Sequence, residues 1–188
     1  YCGKKQEDKE EIIPEYETMV VNSQNAELES TYAATIKGQE DIEIRPRIDG
    51  FIDAIYIDEG SVVRKGQTLF KINSPQSEQA YNSALESVNS AQAQLNTAKL
   101  NVDRIKPLAD KGIVSQTQYE TYKNAYDVAE ATLRQSKATL RNAQATLGWT
   151  NVTSPVDGIA GSIPYRQGSL VNSSNVLTTI ANTNNVYV

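Results

Sequence analysis

Between Pro75 and Leu147 the apolar positions alternate at spacings of three and four. Tyr81, Ala84, Val88, Ala91, Leu95, Ala98, Val102 and Ile105 form one run. Tyr119, Tyr122, Tyr126, Ala129, Leu133, Ser136, Leu140, Ala143 and Leu147 form a second. Such spacing defines a heptad seam, in which one stripe of each helix faces a partner helix. No glycine interrupts either run, and Pro107, beside the break between them, is the only proline between Pro75 and Leu147. The pattern predicts two long helices joined by a short turn and packed antiparallel, each roughly 45 Å long at 1.5 Å per residue.

The flanks follow a different rule. Residues 41–73 carry Ile42, Ile44, Ile48, Ile52, Ile55, Ile57, Val62, Leu69 and Ile72 in short runs punctuated by Gly50, Gly60 and Gly66. β-Branched residues in short runs with turn signals such as Asp58-Glu59-Gly60 predict short strands. Residues 150–181 repeat this pattern at an offset of 108 positions. Asp49-Gly50 returns as Asp157-Gly158, Gly60 as Gly168, Val63 as Val171, Leu69 as Leu177 and Ile72 as Ile180, with no gap. The helical pair is therefore inserted between two copies of one β-unit. Neither copy is large enough to stand alone, so the two are expected to bury their apolar faces against each other. Upstream, Glu17–Asn22 and Glu27–Lys37 read as two further strands, the second ended by Gly38 and both needing partners elsewhere. Gly148 reads as the stop of the second helix.

Composition narrows the function. The chain has 188 residues, 39% of them apolar, below the ~45–50% of ordinary globular domains. That deficit suits a thin seam rather than a thick core. A net charge of −5 disfavours a nucleic-acid partner. The absence of histidine removes the commonest general base and metal ligand, so no catalytic and no metal site is expected. The single cysteine, Cys2, precedes a polar charged run. No signal-peptide pattern precedes it, which suggests a processed form. Cysteine at a processed terminus before a soluble tether is the layout of a bacterial lipoprotein, so Cys2 is the candidate lipidation site.

The run from Gly50 to Leu69, with glycines at 50, 60 and 66 and apolar residues at 52, 55, 57, 63 and 69, resembles half of a biotinyl/lipoyl domain. A lipoyl domain split by a helical hairpin resembles the periplasmic adaptor, or membrane fusion protein, family related to HlyD. The likeness is greatest to adaptors of resistance-nodulation-division (RND) efflux pumps. Thr153-Ser154-Pro155-Val156-Asp157-Gly158-Ile159-Ala160-Gly161 resembles that family's signature at re-entry into the lipoyl domain. Arg104, Leu108 and Ser115 match the tip motif with which such hairpins dock on a TolC-like outer-membrane channel. In that reading Arg104 bonds carbonyls or carboxylates across the contact, Leu108 is an apolar knob, and Ser115 caps the second helix.

The resemblance implies an α+β, elongated fold: a split lipoyl-like β-sandwich with an antiparallel coiled-coil hairpin inserted, plus N-terminal strands of an incomplete β-barrel and membrane-proximal domain. The expected divisions are a tether (1–16), N-terminal strands (17–40), the first lipoyl half (41–74), the hairpin (75–148), the second half (149–182) and the start of a return to the barrel (183–188). The implied role is bridging an inner-membrane RND transporter to the channel from the periplasm of a Gram-negative bacterium. The resemblance also implies a ring of six copies, which the lipoprotein layout would anchor through Cys2, and no enzymatic activity or cofactor is expected. The lysine that carries the prosthetic group in true lipoyl domains has no counterpart, because the hairpin occupies that turn after Asn73-Ser74-Pro75. An adaptor of an ABC-type exporter or type I secretion system is the alternative, and a biotinyl/lipoyl carrier a more distant one.

Overall fold

The structure is a computed structural model that describes residues 14–22, 29–31, 37–38, 41–182 and 186–187. Cys2 and much of the expected strand over Glu27–Lys37 lie outside the described residues. The chain divides into two units, Tyr1–Ala34 and Thr35–Val188. In the first, residues 14–22 form neither helix nor strand and are exposed, so the strand expected over Glu17–Asn22 is not formed. A lone extended segment leaves its backbone donors and acceptors to water, and a β-prone run such as Met19-Val20-Val21 cannot make a strand without a partner.

The second unit holds ten strands and two helices among its described residues: β1 Lys37–Gly38, β2 Asp41–Ile44, β3 Gly50–Ile55, β4 Val62–Val63, β5 Thr68–Asn73, α1 Pro75–Asp110, α2 Gln116–Gly148, β6 Asn151–Thr153, β7 Gly158–Ala160, β8 Leu170–Val171, β9 Thr178–Ala181 and β10 Val186–Tyr187. Two four-stranded antiparallel sheets, β2-β9-β7-β4 and β6-β5-β3-β8, form the sandwich. In each sheet the two inner strands come from one repeat and the two edge strands from the other. The halves are thus interlocked, and neither can form its sheet alone.

The offset of 108 holds at atomic detail. Ile52 N–H donates to the Ser169 carbonyl and Ala160 N–H to the Ser61 carbonyl, both at 2.9 Å. Gly168 N–H donates to the Ile52 carbonyl at 2.7 Å and Gly60 N–H to the Ala160 carbonyl at 2.8 Å. The core follows the same rule: Ile44 and Val152, Ile52 and Ala160, Val63 and Val171, Leu69 and Leu177, Ile72 and Ile180 are all buried. Each large aliphatic side chain so removed from water contributes about 1.5–3 kcal/mol. Gly60 and Gly168 both sit at positive φ, 80° and 88°, which is why both turns require glycine.

One departure from the symmetry has a clear cause. Tyr56 N–H donates to the Leu69 carbonyl, but its equivalent, Pro164, has no N–H. β3 therefore runs to Ile55 while β7 stops at Ala160. The Ile163 amide donates instead to the Glu59 carboxylate of the other half, at 2.9 Å.

The helices have 36 and 33 residues, about 54 and 50 Å at 1.5 Å per residue. Every seam position named from the sequence is buried or half-buried, with Ala84, Ala91, Ile105 and Leu133 buried. The root is held by the sandwich. Ile72 N–H donates to the Thr150 carbonyl at 2.7 Å, so the β5–β6 pairing continues to the point where both helices leave. Lys71 Nζ donates to Thr150 Oγ1 and Asn151 Oδ1, each at 3.1 Å. The Arg47 guanidinium lies 5.6 Å from the centroid of Trp149, a cation–π arrangement at the joint.

Gly38 is the last residue of β1 and pairs with Val186 of β10. One local expectation is corrected. Gly148 is the last residue of α2 without being its left-handed stop. Trp149 caps the helix at φ −70°, and Thr150 Oγ1 donates to the Leu147 carbonyl at 2.7 Å.

Candidate functional site

The free end of the hairpin runs from Asp103 to Gln118. Pro107 sits within the last turns of α1. It lacks the N–H that would bond the carbonyl four residues back, yet the helix continues to Asp110. The helix then ends in a Schellman arrangement: Gly112 N–H donates to the Ala109 carbonyl at 3.0 Å, and Ile113 N–H to the Leu108 carbonyl at 2.9 Å. Gly112 takes φ +71°, the left-handed geometry this stop requires. Ser115 opens α2 as its N-cap, and its Oγ accepts from Gln118 N–H at 3.2 Å.

The three residues singled out in sequence are differently disposed. Arg104 is exposed and donates through Nη2 to Asn101 Oδ1 at 3.3 Å. The ion pairs among the described residues are Arg45–Glu43 and Arg134–Glu130, so Arg104 has no internal carboxylate partner. Leu108 lies one helical turn further on, on the same face by its spacing. It is half-buried, and its carbonyl closes the turn. Ser115 lies across the turn, exposed, with its Oγ accepting the capping bond from Gln118 N–H. The tip thus presents an exposed guanidinium with no carboxylate partner beside the turn, while the heptad seam behind it is occupied with holding the helices together.

Sequence reasoning missed Ile113 at the apex, which is 66% exposed. The signal available was the Lys111-Gly112 pair just past the last seam residue, a helix stop that fixes where the next residue stands. Charges at the tip nearly cancel: Arg104, Lys106 and Lys111 stand against Asp103 and Asp110. Among the described residues no group of three His, Cys, Asp or Glu side chains is placed to hold a metal ion, and no helix is long and apolar enough to cross a membrane.

Comparison with known proteins converges on one family. Residues 40–183 match the family model described as the RND MFP barrel-sandwich hybrid domain. The chain is similar to multidrug resistance protein MexA of Pseudomonas aeruginosa, 30% identical over 189 residues, covering 100% of this chain and 46% of that protein. It is also similar to multidrug resistance protein MdtE of Escherichia coli, 28% identical over 148 residues, covering 78% of this chain and 38% of that protein. Among solved structures it superposes on MacA from Actinobacillus actinomycetemcomitans with a TM-score of 0.69 at 25% identity, covering 80% of this chain and 52% of that one. The chain therefore spans less than half the length of these two curated relatives.

Proposed function

Since this chain belongs to the RND membrane fusion protein family, we propose that it serves as the adaptor of a tripartite efflux pump. It joins an inner-membrane RND transporter to a TolC-like outer-membrane channel across the periplasm. The observation that carries this reading is the division of labour in the hairpin. Its root is tied into the sandwich through Ile72, Thr150 and Lys71, its seam is consumed by internal packing, and its free end leaves Arg104 exposed beside the turn closed by Leu108 and Gly112. That geometry suits contact between helix ends, with Arg104, Leu108 and Ser115 as the docking residues. The mechanism is geometric: length, a fixed root and a recognisable tip. The family is one of structural adaptors, and no chemical step is assigned to the chain.

Self-association into a ring of six is part of the same proposal. It is supported by a groove of about 710 Å³ along the hairpin, lined only by uncharged residues such as Gln94, Asn101, Ala125 and Thr132. Amides and small side chains let neighbouring helices approach without desolvating charge. The RND character of the matched model favours an RND transporter over an ABC-type exporter. The division of the chain into tether, N-terminal strands, two lipoyl halves, hairpin and a return towards a barrel belongs to this proposal as well. So does anchoring by lipid on Cys2. Native-protein mass spectrometry is expected to show an acyl mass on the peptide containing Cys2, and an unmodified peptide removes the anchor.

The docking proposal is tested in cells. Arg104→Asp, Leu108→Asp and Ser115→Pro are introduced singly into the full-length protein in its native host, with expression checked. Each is expected to abolish efflux and the cross-link to the channel. Efflux and cross-linking that survive all three refute the tip as the docking site.

A further inference from the structure

The hairpin ends on Ile113 rather than on Leu108. In a Schellman stop the residue after the left-handed glycine ordinarily folds its apolar side chain back against the helix. Here the backbone half of that motif is complete, with Ile113 N–H on the Leu108 carbonyl and Gly112 N–H on the Ala109 carbonyl. Even so, Ile113 stays 66% exposed while Leu108, the partner position, is half-buried. An isoleucine held in water by a hydrogen-bonded turn is an apolar group already fixed in place. Such a group loses little freedom when it binds, and rigid apolar anchors at the centre of a contact carry a large share of binding energy. The near-cancellation of charge among Asp103, Arg104, Lys106, Asp110 and Lys111 leaves little net field to hold a partner by charge alone.

We propose that Ile113 is the apolar anchor of the tip, seated on docking in an apolar recess between the helix ends of the outer-membrane channel, with Arg104 as its polar neighbour. Leu108 then has a positioning role, closing the turn that presents Ile113. This inference rests on the tip-docking reading and sharpens it.

The test uses the full-length adaptor in its native host, tagged, with the host's TolC-like channel quantified by mass spectrometry after reversible amine cross-linking. Ile113→Asp is expected to lower channel recovery by about tenfold or more, as loss of a central anchor does. Ile113→Leu is expected to stay within about twofold of the parent, since an isosteric apolar exchange costs little. Neither is expected to shift the thermal unfolding of the purified protein, because the side chain is largely in solvent. Full recovery with Ile113→Asp, while Arg104→Asp loses the channel, overturns the inference and leaves tip docking standing. Full recovery with both overturns tip docking itself. A loss accompanied by a lower unfolding temperature, or shared by Ile113→Leu, assigns Ile113 to turn closure and overturns the inference as well.

Discussion

Replacing Gly50 or Gly158 by alanine tests the interlocked repeat at its tightest points. A Cβ on Gly50 would stand 2.7 Å from Ile72 Cγ2 and overlap the Asn73 carbonyl oxygen. A Cβ on Gly158 would stand 2.7 Å from Ile180 Cγ2 and overlap the Ala181 carbonyl oxygen. The obstacle in each case is the backbone of the neighbouring strand, which cannot rotate away as a side chain can. Overpacking of this kind costs about 1–3 kcal/mol, and a backbone obstacle places both substitutions towards the upper end. At about 2–4 °C per kcal/mol for a chain of this size, each should lower the unfolding temperature by about 5–10 °C. The two should cost nearly the same, because their surroundings are equivalent residue for residue. The assay is thermal unfolding followed by far-ultraviolet circular dichroism, which reports the helices, and by fluorescence of Trp149 at the hairpin root, the sole tryptophan. Both signals should fall together, since the sandwich holds the helix roots. Gly60→Ala and Gly168→Ala are the contrast. Nothing lies within 4 Å of a Cβ there, so only the left-handed conformation is strained, at about 1–2 kcal/mol. An unchanged unfolding temperature for Gly50→Ala or Gly158→Ala would refute the close strand approach on which the interlocking rests.

Leu133→Ala, at the buried centre of α2, should destabilise the hairpin by about 2–4 kcal/mol, measurable as faster hydrogen exchange in both helices. Ser115→Ala removes the N-cap bond to Gln118 and should cost about 1 kcal/mol, whereas Ser115→Asp should restore it; equal unfolding temperatures for all three proteins would show the cap to be idle. Salt should hardly matter: the ion pairs among the described residues are both partly exposed, and such pairs contribute about 0–1 kcal/mol. A marked fall in unfolding temperature between dilute and concentrated sodium chloride would contradict this.

The hairpin was legible in the sequence because its packing is periodic and local. Every position from Tyr81 to Ile105 and from Tyr119 to Leu147 on the three–four rule proved at least half-buried. The sandwich was legible because it is doubled, and the matched glycines mark places where the two copies obey the same steric limit. Three details resisted reading for physical reasons. The apolar run Met19-Val20-Val21 within Glu17–Asn22 says that an extended segment is favoured, not whether another strand is there to pair with it. Gly148 looks like a stop, but the helix closes without a left-handed glycine, with the Thr150 hydroxyl donating to the Leu147 carbonyl. At the tip the motif residues Arg104, Leu108 and Ser115 are visible as types and spacings. Whether Leu108 or Ile113 faces solvent depends on the geometry of a turn that only Gly112 hints at.

The central claim is that the hairpin meets its channel partner end-on. Photo-cross-linking residues placed singly at 111, on the exposed tip, and at 100, on an exposed mid-hairpin face, test it most directly when irradiated in the full-length adaptor in its native host. The account predicts a channel adduct from position 111 and none from position 100. Channel adducts from position 100 with none from 111 would show side-on packing and contradict it.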